Sequence, residues 1–253
     1  MNIVACYKIV PDAQDIEANP DGSLSMKRAE MVLGEYDIVA IEEAAQLAEA
    51  TGGKAVLLSA GGDKLNDTKL VKGALSRGAE ELYRVVDPAL DAADAFQTAT
   101  VLAAALGKME YDLVLFGEGS ADLYAQQVGS LVGSLLGLPV LNAVSGIEAK
   151  GDILVVERTL ENEVEVLEVM PPAIISVTSD AVLPRIPQLK DILAAGKKPV
   201  VTWSLDEVTA IPASPVETVS IKVPESVERK SVIYEGATDE SIGELVSNIR
   251  ASW

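Results

Sequence analysis

The residues best suited to bind a small molecule lie between positions 117 and 128. This stretch follows an apolar run and passes through small residues before a helical pattern begins. Backbone amides at such a strand-to-helix turn, together with the helix dipole, suit a phosphate group. The stretch therefore predicts a nucleotide site formed by Gly117, Glu118, Gly119, Ser120, Ala121, Asp122, Leu123, Tyr124, Ala125, Gln126, Gln127 and Val128.

The side chains of this loop leave two interpretations open. Asp122 could cap the helix or bind ribose hydroxyls, and Gln126 and Gln127 could donate hydrogen bonds to a phosphate or to a base edge. Equally, Asp122 could be only a cap, the glycines could only permit a turn, and the glutamines could lie on a solvated helix face.

Other candidates carry the same ambiguity. Ala60 lies in a Ser-Ala-Gly-Gly motif that could line the same crevice or merely turn the chain. Tyr36 with Asp37 could touch a ligand, although core packing and helix capping also explain them. Cys6 lies inside an apolar run and has the pattern of a small buried hydrophobe.

Missing residue types and motifs exclude several classes of protein. The chain contains no histidine, so it lacks the usual general base, the commonest zinc ligand and the centre of a Ser-His-Asp arrangement. It contains neither a phosphate-binding G-x-x-x-x-G-K-[ST] loop nor a G-x-G-x-x-G motif after a strand. A nucleotide would have to be held another way.

Charge and cysteine usage restrict partners and compartment. Thirty-nine acidic and 20 basic residues give a net charge of -19, which repels nucleic acid and anionic membranes. A single cysteine excludes an intramolecular disulfide, and the first residues predict a strand rather than a secretory signal. The uncharged stretch 123–147 contains Pro139 and several glycines, so no transmembrane segment is expected. We expect a cytoplasmic protein that binds no nucleic acid.

Apolar runs alternate with helical patterns through the first 145 residues. Strands are predicted at 3–8, 55–59, 82–86, 113–116 and 140–142, and helices near 38–51, 70–75, 96–106 and 125–136. Asp37 is a possible N-cap of the first helix, and Glu42 and Glu43 are expected on its solvated side. This alternation predicts an α/β fold, a doubly wound, mostly parallel Rossmann-like sheet with helices on both faces.

The pattern changes after residue 145. A β-hairpin is predicted at 153–158 and 164–169, followed by a strand at 173–178. Residues 184–199, which we name the excursion, carry basic residues on an acidic protein and predict an exposed, partly helical segment. An apolar stripe ends the chain at Ile242, Leu245, Val246 and Ile249. We expect an α/β domain at 1–205 and a C-terminal arm at 206–253 that docks on a partner subunit.

Several segments together resemble the β subunit of electron transfer flavoproteins, in its FixA-like branch. The resemblance spans roughly residues 1–203 and includes VACYKIVPD at 4–12, YD at 36–37, AIEEA at 40–44, LSRGA at 75–79, QQVG at 126–129 and GLP at 137–139. Its most specific part is VER at 156–158 with Glu161, Glu163 and Glu165, then PAIIS at 172–176. Asn162 stands where the signature usually has glycine or an acid. Pro184-Arg185 and KKP at 197–199 complete the order.

The resemblance implies a heterodimer with an α subunit that carries electrons between acyl-CoA dehydrogenase-type flavoenzymes or reductases and another acceptor, with anaerobic carnitine or acyl-CoA metabolism as one setting. It implies FAD shared with or held by the α subunit, and AMP or a second FAD in the β-subunit site. Contacts to that nucleotide would come from Cys6, Gly34, Glu35, Tyr36, Asp37, Ala60 and residues 117–128. The excursion would recognise the flavoenzyme through Leu189 as its anchor, with Arg185 beside it.

The loop departs from the family pattern in ways that concern the nucleotide. Of the usual acidic group only Asp122 is retained, Glu118 replaces a basic residue, and Tyr124 adds a ring that could stack on a flavin or an adenine. AMP and FAD both remain open.

The leading hypothesis is a non-catalytic electron-transfer subunit in which the redox chemistry belongs to the cofactor. A stand-alone adenine-nucleotide sensor or ligase-like enzyme on the same type of sheet is the alternative, and an interaction domain with an empty crevice is a third.

Overall fold

A computed structural model describes residues 1–224 and 231–252. Its strands are β1 (Asn2–Cys6), β2 (Ile9–Pro11), β3 (Glu17–Ala18), β4 (Leu24–Ser25), β5 (Met31–Leu33), β6 (Lys54–Gly61), β7 (Glu81–Val86), β8 (Leu113–Gly117), β9 (Val140–Lys150), β10 (Ile153–Thr159), β11 (Val164–Val169), β12 (Ala173–Val177) and β13 (Val200–Trp203). Its α-helices are α1 (Glu35–Thr51), α2 (Thr68–Leu75), α3 (Ala95–Leu106), α4 (Val128–Leu136), α5 (Leu189–Ala195), α6 (Leu205–Val208) and α7 (Asp239–Ala251).

Nine strands form one sheet in the order β11-β10-β9-β12-β8-β1-β6-β7-β13. The pairings from β9 across to β13 are parallel, whereas β10 pairs antiparallel with both β9 and β11. From β1 the chain proceeds to β6 on one side, and from β8 it proceeds through α4 to β9 on the other. The strand order therefore reverses between β1 and β8, where a crevice opens in doubly wound sheets.

Helices cover both faces of this sheet because side chains alternate along each strand. Ile3 and Ala5 of β1 pack with α1 and α2 in one apolar cluster, whereas Val4 and Cys6 pack with α3 and α4 in the other. Burying one Leu or Ile side chain contributes about 1.5–3 kcal/mol, so two such layers supply the main stabilisation. The predicted doubly wound α/β fold is confirmed.

Local details differ from the sequence predictions at two helix starts. Helix α1 begins at Glu35 with Gly34 as its N-cap residue, so Asp37 lies inside the first turn and the predicted cap is wrong. Helix α4 begins at Val128 rather than near residue 125. Consequently Asp122 lies well before the helix and does not cap it.

The chain contains more strand than expected. The predicted hairpin is present as β10 and β11, but β9 extends to Lys150 and pairs along β10, giving a three-stranded antiparallel meander. A two-stranded ribbon of β2 and β5 and the edge strand β13 were not predicted. Strands β3 and β4 form another small sheet.

The described chain divides into two units. The first contains Met1–Glu17 and Ser25–Ser220, and hence the nine-stranded sheet and helices α1 to α6. The second contains Ala18–Leu24 and the chain from Ile221 onward, including α7. The expected arm at 206–253 stays a prediction, and its residues 225–230 and 253 lie outside the described part. Across the described residues, we find no helix whose length and apolarity would let it span a membrane.

Candidate functional site

A cavity of about 430 Å³ opens in the first unit at the carboxyl ends of β1, β6 and β8. The loop between β8 and α4 and the β2–β5 ribbon both contribute residues to its lining. Predicted site residues on its surface are Asp37, Ala60, Gly117, Glu118, Gly119, Ser120, Asp122, Leu123, Ala125, Gln126, Gln127 and Val128. The strand topology thus brings the loop and Ala60 to one cavity, which was one of the two interpretations left open for Ala60, and their contact with a nucleotide stays a prediction.

Six other predicted residues support this site from outside the cavity surface. Cys6 is buried in β1, and burial raises the pKa of its thiol, with the Asp37 charge acting in the same direction. Gly34, Glu35 and Tyr36 form the start of α1, whereas Ala121 and Tyr124 lie in the loop without lining the cavity. Their role as nucleotide contacts stays a prediction.

Asp37 joins the two strands at the point of reversal. The Lys8 amide, just beyond β1, donates to Asp37 Oδ2 at 2.8 Å, and the Gly117 amide, at the end of β8, also hydrogen-bonds to this carboxyl group. Gly117 is required here because a Cβ would lie 2.6 Å from the Tyr36 carbonyl carbon. The first turn of α1 therefore lies directly against the ends of the two strands that form the crevice.

Burial raises the pKa of Asp37 to about 7, although the amides of Lys8 and Gly117 and the charge of Lys8 act to lower it. The nearby Asp122 charge adds to the increase. The side chain is only 8% exposed. A carboxyl group with this pKa changes its charge near neutral pH, at the base of the cavity.

A salt bridge crosses the cavity mouth between β1 and the loop. Lys8 Nζ lies 2.6 Å from Asp122 Oδ2 and 2.9 Å from its Oδ1. Burial alone would raise the pKa of Asp122, but hydrogen bonds from Lys8 and Ser120, with the Lys8 charge, lower it overall. Asp122 is therefore an ionised partner of Lys8.

Tyr124 contacts Tyr36 on one side, is 46% exposed, and does not line the cavity. Its ring centroid lies 5.3 Å from that of Tyr36, and a Cβ on Gly119 would lie 2.6 Å from the Tyr124 ring. Tyr124 and Gln126 have φ values of 46° and 55°, a left-handed conformation that is unfavourable for residues with a side chain. These contacts hold the loop in a compact shape around Gly119.

The N-termini of α3 and α4 both reach the cavity, and these two ends differ in capping. Asp94 caps α3, since its carboxylate accepts from the Gln97 amide at 2.7 Å and the Gln97 side chain accepts from the Asp94 amide. At α4, within the described structure, the N-cap residue Gln127 makes no side-chain capping hydrogen bond. The first amides of a helix lack partners within it, so the α4 end offers donors to an anion while the α3 end is already neutralised by a carboxylate.

Several cavity residues escaped the sequence analysis. Lys8 and Lys64 place cations on the surface, and Ile9, Met26 and Met31 form an apolar side. The position of Lys8 directly after β1 was a usable signal, because residues at the carboxyl end of a strand beside the reversal line the crevice. The apolar side had no comparable signal, since it depends on the unpredicted ribbon.

The predicted partner-binding residues have different surroundings. Leu189 is the first residue of α5 and is 73% exposed. Arg185 forms ion pairs with Glu42 and Glu49 of α1. Glu42 and Glu43 are only 2% and 6% exposed, so the prediction that they face solvent is wrong. Burial, helped by the Glu42 charge, raises the pKa of Glu43 to about 7.

A comparison with family models agrees with this architecture. Residues 22–208 match the electron transfer flavoprotein domain. The chain therefore belongs to the electron transfer flavoprotein family, whose members are electron carriers that typically bind flavin.

The buried carboxyl group gives a stability prediction. The pKa of Asp37 is higher in the folded protein than in the unfolded chain, so protonated Asp37 stabilises the fold. This stabilisation is complete at pH values below the pKa of the unfolded chain and is lost as the pH rises through about 7. Urea unfolding between about pH 5.5 and 7.5 should show the free energy of unfolding falling, relative to Asp37→Asn, by up to about 1.4 kcal/mol per pH unit. Asp152→Asn, in the exposed turn before β10, should follow the wild type. If Asp37→Asn and wild type change in parallel with pH, Asp37 does not titrate in this range.

Proposed function

We propose that this chain is the β subunit of a heterodimeric electron transfer flavoprotein, of the FixA-like branch. It carries electrons between acyl-CoA dehydrogenase-type flavoenzymes or reductases and another acceptor, with carnitine or acyl-CoA metabolism in the cytoplasm as its setting. Its role is that of a redox carrier, and electron bifurcation would belong only to a larger complex.

The observation that carries this proposal is the uncapped N-terminus of α4 at the cavity beside the strand reversal. Oriented amides and the helix dipole favour a phosphate at such an end. Lys8, which is about half exposed, lies at the same cavity, where its ammonium group is paired with Asp122. Among the lining residues, Gln127 and Val128 would hold the phosphate side of an adenine nucleotide.

The apolar part of the cavity lining fits a flat apolar group. Ile9, Pro11, Met26 and Met31 line it, and methionine side chains adapt their shape to a ring. This combination suits the adenine of AMP or a ring of a second FAD. A flavin shared with or held by the α subunit supplies the redox chemistry, while this chain's residues bind and orient the nucleotide.

Cofactor content tests the proposal directly. Co-expressed with its α subunit, the protein should purify as a yellow heterodimer, and acid denaturation should release either one FAD with one AMP or two FAD. Chromatography of the released nucleotides decides between these two. A colourless monomer would contradict the proposal and favour the stand-alone nucleotide-binding protein.

The α4 end can be tested without damaging the fold. Gln127→Asp places a carboxylate where the phosphate is proposed to lie, so nucleotide affinity should fall about fivefold or more. Unfolding stability should stay the same or rise, because Asp is a favourable N-cap residue. Nucleotide affinity and urea unfolding are measured on the same preparations.

Gln127→Asn is the matched control, since it has the same shape without the charge and should retain the nucleotide. Equal affinity in the Asp and Asn variants would remove the α4 end from the site.

Leu189 provides a test of partner recognition. Leu189→Ala should leave flavin content unchanged and slow electron transfer with the acyl-CoA dehydrogenase-type partner at least fivefold, because an exposed apolar anchor is lost. Stopped-flow flavin absorbance measures the transfer. Leu135→Ala, at a half-exposed leucine on α4, is the control and should transfer electrons at the normal rate. Normal transfer by Leu189→Ala would reject the recognition role.

A further inference from the structure

The excursion is tied to the domain at both of its ends. At its start, Arg185 contacts α1, and at its close, Lys198 contacts the end of α2. Between these contacts, Ile186, Leu189 and Leu193 are 89%, 73% and 66% exposed. The segment therefore presents apolar side chains to solvent while its ends are fixed.

The first tie is a forked ion pair with a buried acceptor. Arg185 Nε lies 2.8 Å from Glu42 Oε2, Nη2 lies 3.0 Å from Oε1, and the Arg185 amide donates to Oε2 at 3.0 Å. The Glu42 side chain is only 3% exposed. Glu42 has a second donor in Gln46, whose amide lies 2.8 Å from Oε1. One buried carboxylate therefore fixes both the backbone and the side chain of Arg185.

The turn after α2 also contacts Arg185 and so supports its ion pair with Glu42. Arg77 Nη1 donates to the Arg185 carbonyl oxygen at 3.1 Å. Gly78 has φ +110°, and a Cβ there would lie 2.7 Å from Ala45 of α1 and 3.4 Å from Arg185 Nη1. Only glycine allows the turn to approach α1 and the guanidinium this closely.

The second tie uses the same turn. Lys198 Nζ donates to the carbonyl oxygens of Leu75 at 2.8 Å and Ala79 at 2.6 Å. Helix α5, which forms the middle of the excursion, packs against α2. Both ends of the excursion thus contact residues 75–79, so the turn after α2 holds the two ends close together.

The geometry points to Arg185 as a positioning residue: its ion pair with Glu42 fixes the direction in which the excursion presents Ile186, Leu189 and Leu193 to a flavoenzyme partner. This inference rests on the proposed function for the identity of the partner. A fixed presentation lowers the entropy lost on docking, because the segment is already ordered. Losing the ion pair should therefore weaken docking more than it slows the transfer that follows.

The test uses the heterodimer with its α subunit and the acyl-CoA-reduced dehydrogenase-type partner. Glu42→Gln combined with Arg185→Gln removes the pair without leaving a buried unpaired charge. We expect unchanged nucleotide content, at least tenfold faster hydrogen exchange across residues 186–197, and a KM for the flavoprotein raised about tenfold with kcat within twofold.

Two further variants keep the test decisive. Arg185→Lys retains the charge but loses the two-point contact with the Glu42 carboxylate, and it should show the same changes to a smaller extent. It replaces the double variant as the test if that variant folds poorly. Glu49→Gln removes only the exposed partner of Arg185, 63% exposed, and should behave as wild type.

The outcomes separate this inference from the proposed function. Unchanged exchange in the excursion, or faster exchange with an unaltered KM, overturns the positioning role of Arg185. If Leu189→Ala also leaves electron transfer unaltered, recognition by the excursion fails as well. Colourless protein lacking flavin would instead refute the carrier function itself, whatever the exchange data show.

Discussion

The carboxylate of Asp37 is the contact on which the candidate site depends. It bonds the amides that follow β1 and end β8, the two strands between which the order reverses. A parallel sheet provides a crevice at such a point, but the crevice takes a defined shape only if the two strand ends are held at a fixed separation. Asp37 holds them from within the first turn of α1 and draws that turn against Gly117. An acidic residue is favourable in the first turn of a helix, and here the same residue, Asp37, also forms part of the cavity lining.

The electrostatics of the cavity mouth depend on whether the N-terminal amides of each helix are capped by a side chain. Asp94 neutralises the end of α3, and Asp122, which could have capped α4, is instead paired with Lys8 on the other side of the mouth. The α4 end is left with amides available on an otherwise acidic protein of net charge -19. The α4 end therefore favours an anionic ligand, whereas the carboxylates of Glu118, Asp91 and Asp94 disfavour an anion near them.

The fold was largely predictable because its strands and helices have clear periodicities, and the topological rule for parallel sheets then located the crevice. The errors arose where tertiary contacts override a local pattern. Asp37 has the residue type of a cap, yet its partners, Lys8 and Gly117, are distant in sequence. Glu42 has the polarity of a surface residue, and only the return of the chain at Arg185 explains its burial. The apolar side of the cavity depends on pairing between β2 and β5, two three-residue strands too short to give a period-2 signal.

Helix α1 connects these separate features into one frame. Asp37 in its first turn fixes the crevice, whereas Glu42 and Glu49, seven residues and about two turns apart, lie on the same side and form ion pairs with Arg185. The middle of the helix is held by Val39, Ile41 and Ala44 in the apolar cluster beneath it. The crevice and the excursion are thus both attached to one helix, most of which is buried. Electron transfer between bound groups requires a reproducible separation and direction. For the proposed carrier, one helix that supports both the crevice and the excursion would meet that requirement without a change of fold.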